Sequence, residues 1–229
     1  MGQGKFIAIE GTDGSGKNEQ TVRLVRRLKD AGVKVASFEF PRHGEPSSWF
    51  VDEYLNGVFG TLQDVSAKTA SLFYALDRYA AAPAIRAALA AGDVVIANRY
   101  VASNLAHQGS KYDDVDERAR YFAWNYDVEY RANGIPKPDL SIILHVPAAV
   151  AQGLVDKKPA RSYLGGERKR DIHEADVGHL RRTEEVYRQL AATFPDDFTI
   201  VECFENEALL SVEDVHEKVW AIVSRVLGF

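Results

Sequence analysis

Gly11-Thr12-Asp13-Gly14-Ser15-Gly16-Lys17 carries glycines and a lysine at the spacing G-x-x-x-x-G-K of a phosphate-binding loop. Glycines let successive backbone N–H groups turn into one concavity, and a helix starting just beyond adds its positive end. Lys17 then supplies a compact cation for outer phosphates. The eighth position, where Ser or Thr ordinarily offers a hydroxyl to Mg²⁺, is Asn18, whose amide oxygen is itself a ligand for a hard cation. Arg42, Arg78 and Arg99 add planar guanidinium forks that can grip a phosphate in two places.

These residues need a scaffold that brings them together. Apolar runs at Phe6–Ile9, Val33–Phe40, Val94–Ala97, Leu140–Val146 and Phe198–Val201 are expected strands. Helical patterns fall at Glu19–Ala31, Ser66–Ala91, Asp114–Tyr130, Val177–Thr193 and Val212–Leu227, with Pro83 a candidate kink or break in the second. Fully apolar strands separated by helices predict an α/β fold: a five-stranded parallel sheet covered on both faces. Such sheets bind ligands beyond the carboxyl ends of their strands. The loop after Ile9, Pro41-Arg42 after Phe40, and Arg99 after the third strand would all meet there.

Composition narrows the remaining classes. The chain has 229 residues, 46% hydrophobic and 27% charged, with a net charge of −5, which excludes disordered, collagen-like and disulfide-scaffold classes. An acidic chain is not drawn to nucleic acid or anionic lipid, and no apolar run approaches the roughly 20 residues needed to span a bilayer. A lone Cys203 and an N-terminus without a signal-peptide pattern predict a cytoplasmic protein with no disulfide. No internal repeat or low-complexity linker appears, so one domain over residues 1–229 is expected. The polar, cationic stretch 157–172, with Gly165-Gly166 at its middle, reads as a mobile lid over an anionic ligand.

Taken in order, several segments resemble the thymidylate kinase family of nucleoside-monophosphate kinases. These are the loop with Asp13, Phe40-Pro41-Arg42, Leu72-Phe73-Tyr74-Ala75-Leu76-Asp77-Arg78, Asn98-Arg99-Tyr100-Val101-Ala102-Ser103-Asn104 with Gln108-Gly109, Pro136-Lys137-Pro138-Asp139, and an Arg-rich segment after the fourth strand. The resemblance implies a P-loop kinase fold and transfer of a phosphoryl group from ATP to dTMP, with Mg²⁺ as cofactor and a homodimeric assembly. Gly11, Thr12, Asp13, Gly14, Ser15, Gly16, Lys17, Asn18 and Glu19 would then bind ATP. Arg78 and Arg99 would hold the dTMP phosphate, with Pro41 and Arg42 beside them. Tyr74 would stack on the base, Asn104 would lie near it, Asp13 would meet the sugar 3′-hydroxyl, and Gln108 would shape the wall. Lys17, Arg99 and the lid's Arg161 and Arg170 are the implied catalytic cations.

Three positions depart from the family pattern. His107 stands where Tyr or Phe usually packs against the sugar, which opens a reading with another acceptor. Asn98 replaces an aspartate that helps organise Mg²⁺, and Asn18 replaces the hydroxyl residue. Two asparagines are therefore the expected, atypical metal-linked residues. They also leave open a protein that binds nucleotides without turnover. An Asp-Arg-Tyr string does occur at Asp77-Arg78-Tyr79, but within a helix rather than at a strand end.

Overall fold

The computed structural model describes residues 4–155 and 177–229. A five-stranded parallel sheet runs in the order β2-β3-β1-β4-β5, from β1 (Phe6–Gly11), β2 (Val35–Glu39), β3 (Val94–Asn98), β4 (Leu140–His145) and β5 (Phe198–Glu202). The chain reverses its direction of winding after β1, and the crevice that opens there is where such sheets hold ligands.

Alternation along the strands sorts the core into two layers. Phe6 and Ala8 of β1, Val95 and Ala97 of β3, and Ile143 of β4 pack on one face. The same face receives α3 (Ala67–Ala90), α4 (Val101–Gly109), α5 (Val115–Tyr126) and α7 (Val177–Thr193). Ile7 and Ile9, Val94 and Ile96, and Ile142 and Leu144 turn the other way, onto α1 (Lys17–Asp30) and α8 (Val212–Leu227). A strand buried on both sides has no reason to alternate polar residues, hence the uninterrupted apolar runs.

The helices largely follow expectation, with instructive differences. Pro83 neither breaks nor splits α3, which continues through it from Ala67 to Ala90. The helix expected over Asp114–Tyr130 stops being α-helical at Tyr126 and widens into a π-helical turn, Asp127–Ala132. Pattern alone did not reveal α2 (Trp49–Leu55), α4, α6 (Ala148–Val155) or the short hairpin of β6 (Phe204–Glu205) and β7 (Ala208–Leu209). The stretch 157–172, with Arg161 and Arg170, lies outside the described residues. Among those that are described, no helix is long and apolar enough to cross a membrane. Cys203 is buried, and desolvation pushes its thiol up to about 12, so it behaves as a small apolar group.

Candidate active site

The turn from β1 into α1 forms the floor of the site. Gly11, Gly14 and Gly16 all have positive φ (139°, 86° and 85°). At two of them space is also decisive: a Cβ on Gly11 would lie 2.5 Å from the Leu144 carbonyl oxygen, and one on Gly14 would lie 2.3 Å from that of Ala151. Gly16 caps α1 with no side-chain hydrogen bond, so the helix N-terminus is not blocked by its own cap. Lys17 is buried and donates from Nζ to the Thr12 carbonyl at 2.7 Å, which holds the ammonium across the loop. The Thr12 and Ser15 hydroxyls are buried without hydrogen-bond partners among the described residues. Buried donors left unpaired are costly, and an anion seated in the loop would relieve that cost.

Arg99 follows β3 and adopts φ 64°, a left-handed conformation that costs a non-glycine residue roughly 1–2 kcal/mol. Its backbone N–H remains tied to the Ile9 carbonyl at 2.9 Å, while the guanidinium turns toward the phosphate loop. Nη2 meets Asp13 Oδ1 at 2.5 Å, and Nη1 reaches the Gly11 carbonyl at 3.2 Å and Ser103 Oγ at 3.0 Å. Burial is the largest single influence and works against its charge, but Asp13, Tyr187 and Glu10 together outweigh it and hold the guanidinium above its ordinary value. Glu10, fully buried, accepts from the Tyr100 N–H at 2.7 Å and Ser103 Oγ at 2.6 Å. Desolvation raises its pKa. It therefore positions Ser103, which in turn steadies Arg99.

Arg78 is buried on α3 and bonds through Nε and Nη2 to Glu129, which the π-helical turn swings into the interior. Burial again opposes the charge, and the pairing with Glu129 raises it. Glu129 and the Tyr100 carbonyl do not exhaust the five N–H donors of Arg78. Arg42 is held differently. Its N–H and Nε bond Asp77 at 2.8 and 2.9 Å, Nη2 bonds Ser47 Oγ at 2.7 Å, and it is not among the residues lining the cleft.

One cleft gathers most of the expected residues: Asp13, Lys17 and Asn18 at the loop, Pro41 after a cis peptide, Tyr74 and Arg78 from α3. Asn98, Arg99, Asn104, His107 and Gln108 form the facing wall. Glu19, on the exposed first turn of α1, instead bonds Arg23 Nε at 2.6 Å. Tyr74 is half-buried, edge-on to Tyr54 at 6.4 Å between centroids; it lines the cleft and also packs against the small core cluster around Tyr54 and Leu55. Gln108 is fully buried with both amide atoms unpartnered, and Asn104 has an unpartnered Oδ1 while Nδ2 reaches the Ser71 carbonyl at 3.2 Å. A side-chain amide sets a donor and an acceptor side by side, the complement of a pyrimidine's N–H and C=O edge.

His107 is neutral. Burial first, and the Arg99 charge second, depress it well below its ordinary value. Arginine only donates, so the 3.4 Å contact with Arg99 Nη1 makes His107 Nε2 the acceptor and places the ring proton on Nδ1. That proton points to His179 Nε2 at 3.3 Å, and His179 Nδ1 faces Ser110 Oγ at 3.2 Å.

Among the described residues no three His, Cys, Asp or Glu side chains converge as a metal cage. Asn98 Oδ1 is nevertheless buried, on the cleft wall and without a partner, and Asn18 is exposed beside it on the same cleft. Amide oxygens of this kind suit a hard cation that draws its other ligands from phosphates and water. Sequence reading missed Glu129, Ser103, His179 and Glu39. Only Glu39, a carboxylate at the carboxyl end of a strand, carried a signal that the edge rule would have found.

Known proteins resemble this chain over most of its length. Thymidylate kinase from Mycobacterium tuberculosis is 36% identical over 188 residues, covering 82% of this chain and 86% of that protein. The enzyme of the same name from Thermomicrobium roseum is 30% identical over 222 residues, covering 97% and 95%. A solved structure of thymidylate kinase from Candida albicans shares the fold, with a TM-score of 0.75 at 22% identity over 97% of this chain and 92% of that one. The family model for thymidylate kinase matches residues 9–219, so the chain belongs to the thymidylate kinase family.

Proposed function

We propose that the protein transfers the γ-phosphoryl group of ATP to dTMP, giving dTDP for dTTP synthesis. The observation that carries this is the single cleft in which the phosphate loop and the Arg99 guanidinium face Tyr74, Asn104 and Gln108. A loop rich in N–H donors suits the donor phosphates, and an arginine bridged to that loop by Asp13 suits an acceptor phosphate next to them.

In this reading Lys17 leaves the Thr12 carbonyl for the outer phosphates of ATP held by residues Gly11 to Glu19. Arg99 and Arg78 fix the dTMP phosphate, with Pro41 shaping the same corner and Arg42 turning in from Asp77 to assist. Tyr74 stacks on thymine while the unpartnered Oδ1 of Asn104 and the side-chain amide of Gln108 read its edge. His107, neutral and locked by its hydrogen bonds, packs against the sugar, and Asp13 lies near the 3′-hydroxyl. Phosphoryl transfer needs little covalent help from the protein, so placement and charge neutralisation supply most of the rate. Mg²⁺, taken up with the ATP phosphates and the Asn18 and Asn98 oxygens, would supply part of that neutralisation. Arg161 and Arg170 are proposed on sequence grounds as the lid cations that complete it.

We read residues 1–229 as one P-loop kinase domain, working in the cytoplasm as a homodimer. Support for the dimer is an exposed apolar strip on α3 at helical spacing, Leu72, Leu76 and Tyr79, next to exposed Trp49 and Phe50 of α2. A coupled ADP-release assay with dTMP, dUMP, dGMP, CMP and AMP tests the function.

A further inference from the structure

Glu39 ends β2 and is the register partner of Asn98 at the end of β3. Asn98 Nδ2 donates to Glu39 Oε1 at 3.2 Å. A carboxylate only accepts, so this bond fixes the amide: nitrogen toward Glu39, oxygen away from it. That oxygen is buried, belongs to a cleft-lining residue only 6% exposed, and has no hydrogen-bond partner among the described residues. Asn18 and Glu39 line the same cleft beside Lys17.

Two neutral amide oxygens are a poor match for a divalent ion on their own. Mg²⁺ gives up water reluctantly and usually needs one or two carboxylates besides the substrate phosphates. The neighbouring carboxylates are engaged. Both Glu10 oxygens accept from Tyr100 N and Ser103 Oγ inside the core, Asp13 pairs with Arg99, and Glu19 pairs with Arg23. Glu39 is different: exposed, on the cleft, and met among the described residues by an amide donor rather than by a cation.

We propose that Glu39 is the carboxylate of the Mg²⁺ site that serves the ATP phosphates, acting with the oxygens of Asn98 and Asn18. The negative charge on this edge of the sheet thus sits on β2 instead of β3. The inference rests on the phosphotransferase reading, and its test is separable from that reading.

The probe is Mn²⁺, followed by electron paramagnetic resonance with the full-length protein and a non-hydrolysable ATP analogue. Glu39→Gln should weaken Mn²⁺ binding in the ternary complex by about 10-fold or more, while binding of the analogue in EDTA changes by less than about 2-fold. Glu39→Gln/Asn98→Asp returns a carboxylate to the neighbouring strand and should restore Mn²⁺ affinity to within about 3-fold of wild type. Wild-type Mn²⁺ affinity in Glu39→Gln would overturn the proposal, as would equal loss of analogue binding in EDTA, which marks a structural support. No recovery in the double variant would overturn it too. If the wild type phosphorylates dTMP while Glu39→Gln still binds Mn²⁺ normally, the metal assignment falls and the kinase reading stands.

Discussion

Asp13 of the phosphate loop and Arg99 after β3 form an ion pair, Oδ1 to Nη2 at 2.5 Å, that ties the loop after the first strand to the end of the third. Arg99 reaches this partner only because its backbone takes a left-handed turn. Strain of that kind persists where the surroundings over-determine it, and here Gly11, Ser103 and Asp13 all hold the guanidinium.

Removing the guanidinium should therefore cost turnover more than fold. Arg99→Ala is expected to lower kcat/KM for dTMP by about 100-fold or more, since a charge-assisted phosphate contact is lost. Asp13→Asn keeps the shape but not the charge, and should raise KM for dTMP by about 10-fold. Steady-state kinetics at saturating ATP check both.

In the proposed reaction Lys17 stabilises the transferring phosphoryl group. Lys17→Ala should reduce kcat by about 1000-fold while the melting temperature stays close to wild type. Single-turnover measurements with preformed enzyme–dTMP complex separate this loss from weaker nucleotide binding.

The Arg78–Glu129 pair is buried on both sides, at 2% and 0% exposure, so breaking it leaves an uncompensated charge in the interior. Glu129→Gln should destabilise the protein by about 3–5 kcal/mol. Arg78→Met/Glu129→Leu should cost much less than the two single changes added together. Urea unfolding of the four proteins in the cycle reads the coupling.

His107 gives stability a pH dependence of known sign. Folded, it stays neutral well below its ordinary value of about 6.5; unfolded, it takes a proton near that value. The unfolded chain then binds more protons, so stability falls as the pH drops through about 6.5. His216, buried in contact with Gln20 and also depressed by desolvation, adds in the same direction. Thermal melting between pH 7.5 and 5 should show a steeper fall for wild type than for His107→Phe.

The dimer reading concerns an exposed patch on α2 and α3, the helices that also send Leu55, Tyr74 and Arg78 to the cleft. Leu76, 49% exposed on α3, is the centre of the strip. Leu76→Glu should convert the dimer to a monomer with an intact fold, as measured by sedimentation velocity and circular dichroism.

Much of this architecture was legible in the sequence because strands buried on both faces leave unmistakable apolar runs. Val177–Thr193 and Val212–Leu227 coincide with α7 and α8 to the residue. What stayed hidden depends on tertiary contact. α4 begins immediately after Arg99-Tyr100, with no side-chain cap to announce it, and α2 is a seven-residue helix whose Trp49 and Phe50 remain exposed. Glu129 enters the site through a π-helical turn that no hydrophobic period encodes. The phosphate loop, Pro41 and Arg99 were visible because they lie at strand ends, whereas Tyr74, Asn104, His107 and Gln108, on α3 and α4, were expected only through the family resemblance. Arg42 was visible too, but Asp77 on α3 draws it aside, a preference that only the folded chain reveals. Glu39 escaped because one carboxylate before Phe40-Pro41 looks like any solvated strand end.

The central claim is that this cleft phosphorylates dTMP, and the acceptor panel with MgATP tests it most directly. The account predicts that kcat/KM for dTMP exceeds that for dGMP, CMP and AMP by about 100-fold or more, because buried amides that match the thymine edge are left unpaired by other bases. A faster reaction with any of those three acceptors, or tight dTMP binding without ADP release at millimolar Mg²⁺, would contradict it.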